Sequence, residues 1–209
     1  RNSDKEMLTA IDSLLSNNMT GLILDLRDNP GGLLNSAVNI LDLLVDKGEI
    51  LVWTEGKTSK SAKKYFSQND PIVPDNVNIV VLVNQGSASA SEIISGTLQD
   101  LDRGVIIGRK TYGKGLVQTV FNLDRERAIK ITTAKYYIPS GRLIQKPGYL
   151  PQEILGDSTD LDTLYYTKGG RKVSGSGGIT PDHEIELDEI TPLLSASWRQ
   201  GLFFNFTAQ

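Results

Sequence analysis

Hydrophobic residues in the first half of the chain alternate between helical spacing and the spacing of buried strands. Asp4 to Leu15 carries apolar residues three and four positions apart, which predicts an amphipathic helix. Gly21 to Arg27 predicts a buried strand, and Asn78 to Asn84 is the near-continuous apolar run typical of a parallel strand covered on both faces. Each of these two strands leads into a corner of small residues and then into a helical pattern.

Further elements continue this order. The pattern predicts helices over Leu33 to Leu44 and Ser89 to Leu101, and strands over Ile50 to Thr54 and Gly104 to Gly108. Strands that alternate with helices are typical of a parallel sheet with helices packed on it. We therefore expect an α/β fold of the mixed α+β kind.

The second half of the chain changes character. Leu116 to Leu123 and Ala128 to Ile138 alternate well enough to predict two antiparallel strands joined by a tight turn. Three polar stretches follow no regular pattern. We expect 56–64 to be an exposed hairpin or loop, 146–162 to be a loop and 167–178 to be a mobile connector.

Composition narrows the chemistry. The 209 residues are 39% hydrophobic, which suits one globular domain, and a net charge of −3 excludes the basic surface that nucleic acids require. There is no cysteine and a single histidine, His183, so thiol nucleophiles, disulfides and multi-histidine metal sites are excluded. His183 lies among charged residues and is expected in a solvated turn. We predict no metal and no cofactor.

A serine cluster follows the strand that ends at Asn84. Ser87, Ser89 and Ser91 alternate with small residues at the predicted start of a helix, at the sheet edge where α/β folds place their ligands. The serines could simply cap the helix, and Ser89 with Glu92 fits a capping box. One of them could equally be a nucleophile, since the two roles do not exclude each other.

A nucleophilic serine needs a base, and the chain offers lysine rather than histidine. A lysine amine can accept a proton only where apolar surroundings lower its pKa. Lys114 is the candidate, because it lies between Gly113 and Gly115 and between two apolar strands. Lys110 is expected to be an exposed loop charge.

The same lysine closes a sequence that matches the opening of a phosphate-binding loop. Residues 108–114 fit G-x-x-x-x-G-K, but the next residue is Gly115 rather than serine or threonine. A strand pattern follows where such a loop would open a helix. We therefore expect no nucleotide binding.

Paired glycines form the third candidate element. Gly31 and Gly32 follow the first predicted parallel strand and Asn29-Pro30. Glycines at such a corner leave backbone N–H groups bare, which suits them to binding a developing oxyanion. The alternative interpretation is a turn that only leads into the next helix.

Taken together, these segments resemble the carboxy-terminal processing proteases, also called tail-specific proteases. The matching motifs are LDLRDNPGG at 24–32, VNQGSASASE at 83–92 and GKGLVQ at 113–118, and the likeness runs from about Gly21 to Pro181. The segment GGITPD at 177–182 is similar to the closing motif of the family. The resemblance implies a crotonase-like spiral core of ββα units with additional antiparallel strands.

The resemblance also implies a catalytic role for each candidate residue. In that family the nucleophile precedes the lysine by 25 residues, and 114 − 89 = 25 selects Ser89 as nucleophile and Lys114 as base. Gln118 would assist the lysine, and Ala90 with Gly31 or Gly32 would supply the oxyanion hole. The implied partners are protein or peptide substrates, cut near or at their carboxy-terminal region.

The resemblance has wider implications. We expect residues 1–209 to form one protease catalytic core, without the PDZ domain that usually precedes it in this family. The resemblance suggests a periplasmic, extracytoplasmic or membrane-associated location and is compatible with a homo-oligomer.

Two other classes share this architecture. A catalytically silent peptide-binding module would keep the glycine corner without needing a neutral lysine, and an acyl-CoA-handling crotonase would use glycine donors without a serine and lysine pair. The spacing of Ser89, Lys114 and Gln118 argues against both.

Overall fold

The computed structural model describes residues 2–58, 61–148, 163–175, 177–186, 191–202 and 206. None of the helices in these ranges is both long enough and apolar enough to cross a bilayer. The elements, in chain order, are α1 Ser3–Ser16, β1 Gly21–Asp25, α2 Leu34–Asp42, β2 Ile50–Gly56, β3 Lys63–Phe66, β4 Asn78–Val83, α3 Ala90–Asp100, β5 Gly104–Gly108, β6 Leu116–Asn122, β7 Ala128–Tyr137, β8 Leu164–Tyr166, β9 Lys172–Ser174, β10 His183–Glu184 and α4 Pro192–Arg199.

The predicted parallel sheet is confirmed, except that the predicted strand Ile50 to Thr54 lies in the antiparallel sheet instead. The strands of the parallel sheet lie in the order β1-β4-β5-β10, and every neighbouring pair is parallel. Gly21 pairs with Asn78 and Asp25 pairs with Leu82, so β1 and β4 end close together. The loops that follow β1, β4 and β5 therefore meet at one edge of this sheet.

The predicted antiparallel strands form a second sheet. Its order is β3-β2-β7-β6, and β6 and β7 make the hairpin that the alternating pattern indicates. The polar stretch 56–64 leads from β2 into β3, which pair as a hairpin. Most of the predicted loop 146–162 lies outside the described residues.

Helix α3 lies at the centre of the molecule. Every residue from Ala90 to Asp100 is buried, and the helix contacts α2, β5 of the parallel sheet and β2 of the antiparallel sheet. The packing at Gly96 is close, because a Cβ atom there would come within 2.7 Å of Ile138 Cδ1 and 2.8 Å of Ile179 Cδ1. Both sheets therefore pack against one buried helix.

Buried polar groups fix the carboxyl end of α3. Asp100 and Arg142 form an ion pair of 2.6 Å, and both side chains are fully buried. Arg142 also donates to Gln99 Oε1 at 2.6 Å and to the Ser174 carbonyl at 2.9 Å. Burial raises the pKa of Asp100, and the guanidinium of Arg142 acts against that rise. Removing either partner would leave a buried charge uncompensated.

Two local predictions are wrong. The expected mobile connector 167–178 contains β9, which pairs with β8 in a two-stranded hairpin. Arg171 fastens this hairpin through ion pairs of 2.6 Å with Asp102 and with Asp182. His183 is exposed as expected, but it belongs to strand β10 rather than to a turn. These long-range ion pairs have no local sequence signal.

Substituting Asp102 should show how much the ion pair between Asp102 and Arg171 contributes to the stability of the β8-β9 hairpin. Partial burial acts to raise the pKa of Asp102, but hydrogen bonds from Arg171 and Gly169 outweigh it and hold the pKa below its ordinary value. The contribution of Asp102 to folding stability is therefore complete at a pH above the unfolded-state pKa of about 3.9. It is lost as the pH falls through the lower pKa of the folded state.

We expect Asp102→Asn to lower the melting temperature at pH 7, and the difference from the native chain should shrink below about pH 4. Thermal unfolding followed by circular dichroism between pH 2.5 and 7 measures this. Asp12→Asn, at an exposed position of α1, is the control. A difference that stays constant with pH would contradict the assignment.

Candidate active site

The turns after β1 and β4 pack directly on each other. A Cβ atom at Gly31 would lie 2.4 Å from the Ala88 carbonyl oxygen and 2.6 Å from the Ala90 nitrogen, and the residue has a φ of +86°. Only glycine fits there, because both the contact and the backbone conformation exclude a side chain. The glycine corner therefore lies against the start of α3.

An asparagine ties these two turns together. The Asn84 Oδ1 atom accepts hydrogen bonds of 2.9 Å from the N–H groups of Asp28 and Gly86, and its Nδ2 atom donates to Asp28 Oδ1 at 3.0 Å. Arg27 and Asp25, at the end of β1, also form an ion pair of 2.7 Å. A backbone hydrogen bond of 3.0 Å from the Ala88 N–H to the Asn29 carbonyl also joins the turns, so side chains and main chain together set their relative position.

The three serines of the cluster have different surroundings. The Ser87 hydroxyl is buried and donates to the Leu26 carbonyl at 2.7 Å, and the Ser91 hydroxyl donates to the Asn29 carbonyl at 3.1 Å. Both are committed to holding the turn after β1. Ser89 is half-buried and lines a cavity. The structure thus separates one serine from two that have structural roles.

Ser89 adopts an unusual backbone conformation. Its φ of 56° and ψ of −115° lie outside the regions favoured by residues with a side chain. Such a conformation costs on the order of 1–3 kcal/mol and persists only where surrounding contacts impose it. The residue stands immediately before the first turn of α3, so the positive end of the helix dipole is close to it.

Glu92 connects the serine segment to the lysine segment. This carboxylate is fully buried, and its Oε2 atom accepts hydrogen bonds from the Ser89 N–H at 2.8 Å and the Lys114 N–H at 2.9 Å. Its Oε1 atom accepts from Thr111 Oγ1 and from the Gly113 N–H, both at 2.6 Å. Burial raises the pKa of Glu92, although the four donors act to lower it.

Tyr136 joins the same two segments through their carbonyl groups. Its buried hydroxyl, on β7, is hydrogen-bonded to the Lys114 carbonyl and lies 3.3 Å from the Ser89 carbonyl. Burial raises its pKa well above the ordinary value, and the charge of Glu92 adds to that rise. Glu92 therefore binds the N–H groups of Ser89 and Lys114, and Tyr136 binds the carbonyl groups of the same two residues.

One cavity of about 270 Å³ brings most of the predicted residues together. Its lining includes Gly32, Ser89, Ala90, Lys114 and Gln118. Within the part of the chain that the structure describes, no hydrogen bond joins the Ser89 hydroxyl to the Lys114 amine. Catalytic hydrogen bonds in proteases without substrate are often long, and they tighten when substrate binds.

Gly31 packs against Ser89 and Ala90 but does not line this cavity. It lines a different cavity, and its N–H donates to Asn29 Oδ1 at 2.9 Å. The Gly32 N–H and the Ala90 N–H have no hydrogen bond within the described residues. Ala90 is the first residue of α3, where N–H groups lack a partner in the helix.

Gln118 lies beside a β-bulge. The pairing of β6 with β7 shifts between Val117 and Gln118, and Thr133 of β7 is the residue left out of register. Both Val117 and Gln118 line the cavity.

Sequence reasoning missed two of the positioning contacts. The Ser89 and Glu92 spacing indicated a capping box, but it gave no sign that the carboxylate also reaches Gly113 and Lys114. Nothing in the sequence pattern pointed to Tyr136. Among the described residues, no group of three or more histidine, aspartate or glutamate side chains could hold a metal ion.

Comparison with known proteins identifies the family. Residues 1–155 match the description Peptidase family S41. The chain belongs to peptidase family S41. This S41 chain is 44% identical to the carboxy-terminal-processing protease of Bartonella bacilliformis over 203 residues, an alignment that covers 88% of the chain and 46% of that protein. It is 41% identical to the carboxy-terminal processing protease CtpA of Bacillus subtilis, with 71% of the chain and 31% of that protein covered.

Solved structures agree with this assignment. The photosystem II D1 C-terminal processing protease superposes on the S41 chain with a TM-score of 0.66 at 32% identity, covering 88% of the chain and 39% of that protein. Mature CPAF, at 14% identity and a TM-score of 0.56, shares the fold. The S41 chain thus spans less than half the length of the relatives named here.

The Glu92 carboxylate gives a direct test of this arrangement. In Glu92→Gln, an NH2 group replaces one carboxylate oxygen. The two buried donors that this oxygen accepts from would then have no acceptor. We expect a loss of about 3 kcal/mol in the free energy of unfolding, measured by urea denaturation.

Glu55→Gln is the control for this substitution, because Glu55 is exposed and Gln can still accept from Trp53 Nε1. It should change stability by no more than about 0.5 kcal/mol. Equal losses in the two variants would show that the Glu92 contacts do not hold the site together.

Proposed function

We propose that this chain carries the catalytic core of a serine endopeptidase in which Ser89 is the nucleophile and Lys114 is the general base. One observation carries the proposal. Ser89, Lys114 and Gln118 line one cavity, and the N–H groups of Ser89 and Lys114 share a single oxygen of Glu92. Such a link fixes the main chains from which the nucleophile and the base project, which is the chief requirement for proton transfer between them.

The reaction follows from these positions. The neutral amine of Lys114 takes the proton of the Ser89 hydroxyl as Oγ attacks the scissile carbonyl carbon, and a tetrahedral intermediate forms. Collapse of the intermediate breaks the C–N bond, and Lys114 returns the proton to the leaving amine. Water, activated by the same amine, then hydrolyses the acyl-enzyme. Gln118 would hydrogen-bond the lysine amine and orient it.

The oxyanion hole is best supplied by the N–H groups of Ala90 and Gly32. Both residues line the cavity with Ser89, and neither N–H is used in a hydrogen bond within the described residues. Gly31 is less suitable as a donor because Asn29 already accepts its N–H. Its role is steric, since it lets the corner approach Ala88.

Cleavage near a protein's carboxy terminus is proposed on the strength of the relatives. Three of the relatives named above, all except CPAF, carry carboxy-terminal or C-terminal processing in their names, and each is more than twice as long as the matched part. We propose protein or peptide substrates, an extracytoplasmic or membrane-associated location and no cofactor. The alternative is a catalytically silent peptide-binding module, which the fluorophosphonate test below distinguishes from a protease.

A fluorophosphonate probe tests the nucleophile and the base. We expect labelling of the native chain at Ser89, located by mass spectrometry of the modified peptide, and cleavage of β-casein. Ser89→Ala should abolish both, and Lys114→Ala should reduce both by at least 1000-fold, because the hydroxyl loses its base.

Lys110→Ala is the matched control, since it removes a neighbouring lysine outside the cavity. It should remain labelled. Labelling at Ser87 or Ser91 instead, or a Lys114→Ala variant as reactive as the native chain, would refute the assignment. A folded native chain that is neither labelled nor able to cut β-casein would favour the silent binding module.

Substitution at Gly32 tests the oxyanion hole. Gly32→Pro removes the N–H group, whereas Gly32→Ala keeps it and places a Cβ where no atom lies within 4 Å. Loss of one oxyanion donor costs about 100- to 1000-fold in kcat, so we expect this loss in Gly32→Pro and a far smaller one in Gly32→Ala. Steady-state kinetics on a casein peptide measure both, and thermal unfolding checks that both variants fold. Equal losses would assign the effect to loop geometry.

A further inference from the structure

The cavity that contains Ser89 has a second lysine in its lining. Lys130, on β7, lines the same cavity of about 270 Å³ as Ser89, Lys114 and Gln118. The residue is exposed, and neither an ion pair nor a hydrogen bond engages its amine within the described residues. The proposed reaction assigns it no role, so the presence of this charge beside the nucleophile needs an explanation.

Strand pairing places Lys130 close to Gln118. Val120, two residues beyond Gln118, pairs with Lys130. Paired residues, and residues two apart in one strand, point to the same face, so the side chains of Lys130 and Gln118 lie on one face of the hairpin. Diagonal neighbours on paired strands are about 7–8 Å apart. Lys130 is therefore a neighbour of the residue that is proposed to orient Lys114.

No acidic side chain nearby compensates the charge of Lys130. Among the described residues that line the cavity, the two lysines are the only charged ones, and Lys114 is neutral in the proposed reaction. Strands β6 and β7 contain no aspartate or glutamate, and the turn between them, 123–127, carries two acidic and two basic residues. Glu92 is buried, and four donors already surround its carboxylate. The cavity is thus electropositive in a chain whose net charge is −3.

Two further features of the lining strengthen this positive potential. Ala90 is the first residue of α3, and the positive end of a helix dipole lies at such an N-terminus. Leu33, Leu34 and Val117 make part of the lining apolar. Apolar walls focus the electric field of a charge in a cleft. An anionic group in this cavity is therefore attracted to Lys130 more strongly than it would be on an open surface.

We propose that Lys130 is a specificity-determining residue that binds a carboxylate group of the substrate while the scissile bond lies at Ser89. This inference rests on the proposed function, because it assigns a substrate preference to that same site. The carboxylate comes either from an aspartate or glutamate side chain near the scissile bond or from the α-carboxylate of a short tail. A lysine amine binds both in the same way, as a point charge with three donors.

The first experiment varies the charge of the substrate side chains. The parent is an uncharged casein peptide, acetylated and amidated at its ends, that the native chain cleaves. Glutamate, or glutamine as its neutral counterpart, replaces one residue at a time on both sides of the scissile bond, and kcat/KM is measured. We expect the glutamate peptide to be preferred about 3- to 5-fold at one position or at two adjacent positions, as for an ion pair open to solvent.

A second set of peptides tests the α-carboxylate. The parent is shortened one residue at a time from its carboxy terminus, and each length is made as the free acid and as the amide. A preference for the acid at one length, with no preference in the glutamate series, identifies the α-carboxylate as the group that Lys130 binds. Equal kcat/KM values within every pair of both series would overturn the proposal.

The second experiment changes the lysine. Lys130→Met removes the charge, Lys130→Arg keeps it and Lys130→Glu reverses it. We expect the preference for a carboxylate to be lost in the first variant, kept in the second and inverted in the third, which should favour a peptide with lysine at the same position. Lys64→Met, at an exposed position of β3 in the same sheet, is the matched control and should keep the preference. A Lys130→Met variant with the native preference would overturn the proposal.

Ionic strength gives a measurement that a purely structural role of Lys130 would not affect. The Debye length falls from about 10 Å at 0.1 M salt to about 3 Å at 1 M salt. We expect the preference of the native chain to approach one in 1 M NaCl and that of Lys130→Met to stay unchanged. A native preference that is the same at both salt concentrations would assign it to packing and overturn the proposal.

A binding measurement separates this proposal from the proposed function. Isothermal titration calorimetry gives the Kd of the glutamate and glutamine peptides for Ser89→Ala, with and without Lys130→Met. If the native chain cleaves no peptide, the parent is the uncharged casein peptide that binds Ser89→Ala most tightly.

The two proposals then fail separately. Tighter binding of the glutamate peptide that depends on Lys130 supports the role of this residue even if the native chain is not labelled by fluorophosphonate, which would refute only the protease. A labelled native chain whose charge preference is the same with and without Lys130 would refute only the role of Lys130.

Discussion

The buried carboxylate of Glu92 is the interaction on which the rest of the site depends. Its two oxygens accept hydrogen bonds from the segment of Ser89, just before α3, and from the segment of Lys114, in the loop between β5 and β6. A carboxylate away from water is unfavourable unless donors surround it, and here four donors do so. The cost of burial is offset by the bonds that bring the two segments together.

Helix α3 transmits this constraint through the molecule. One end carries Glu92 and the other carries Asp100, so both ends of a fully buried helix are fastened by charged groups. Glu92 reaches the loop before β6, and Asp100 reaches Arg142 just beyond β7. Helix α3 therefore fastens both the loop that leads into β6 and the segment that follows β7.

Much of the fold could be predicted from sequence because its signals are local. Apolar runs and helical spacing gave the parallel strands and helices, and alternation gave the hairpin of β6 and β7. The motifs containing Ser89, Lys114 and Gln118 pointed to one cavity, and the structure brings these residues together there. What could not be predicted depends on contacts between distant residues. Tyr136 is an ordinary strand residue by pattern, and the β8-β9 hairpin is fastened by Arg171, whose partners lie 69 and 11 positions away.

The close approach of Gly31 to Ala88 has a consequence for how such chains can diversify. A position where a Cβ atom would come within 2.4 Å of a backbone oxygen tolerates no replacement, so Gly31 must stay glycine if the start of α3 is to keep its place. The outer half of the β6-β7 hairpin, from Val120 to Ile131, is exposed and bears no such restriction. Substitutions that change substrate preference would therefore accumulate in this half of the hairpin, while the residues of the candidate active site stay the same.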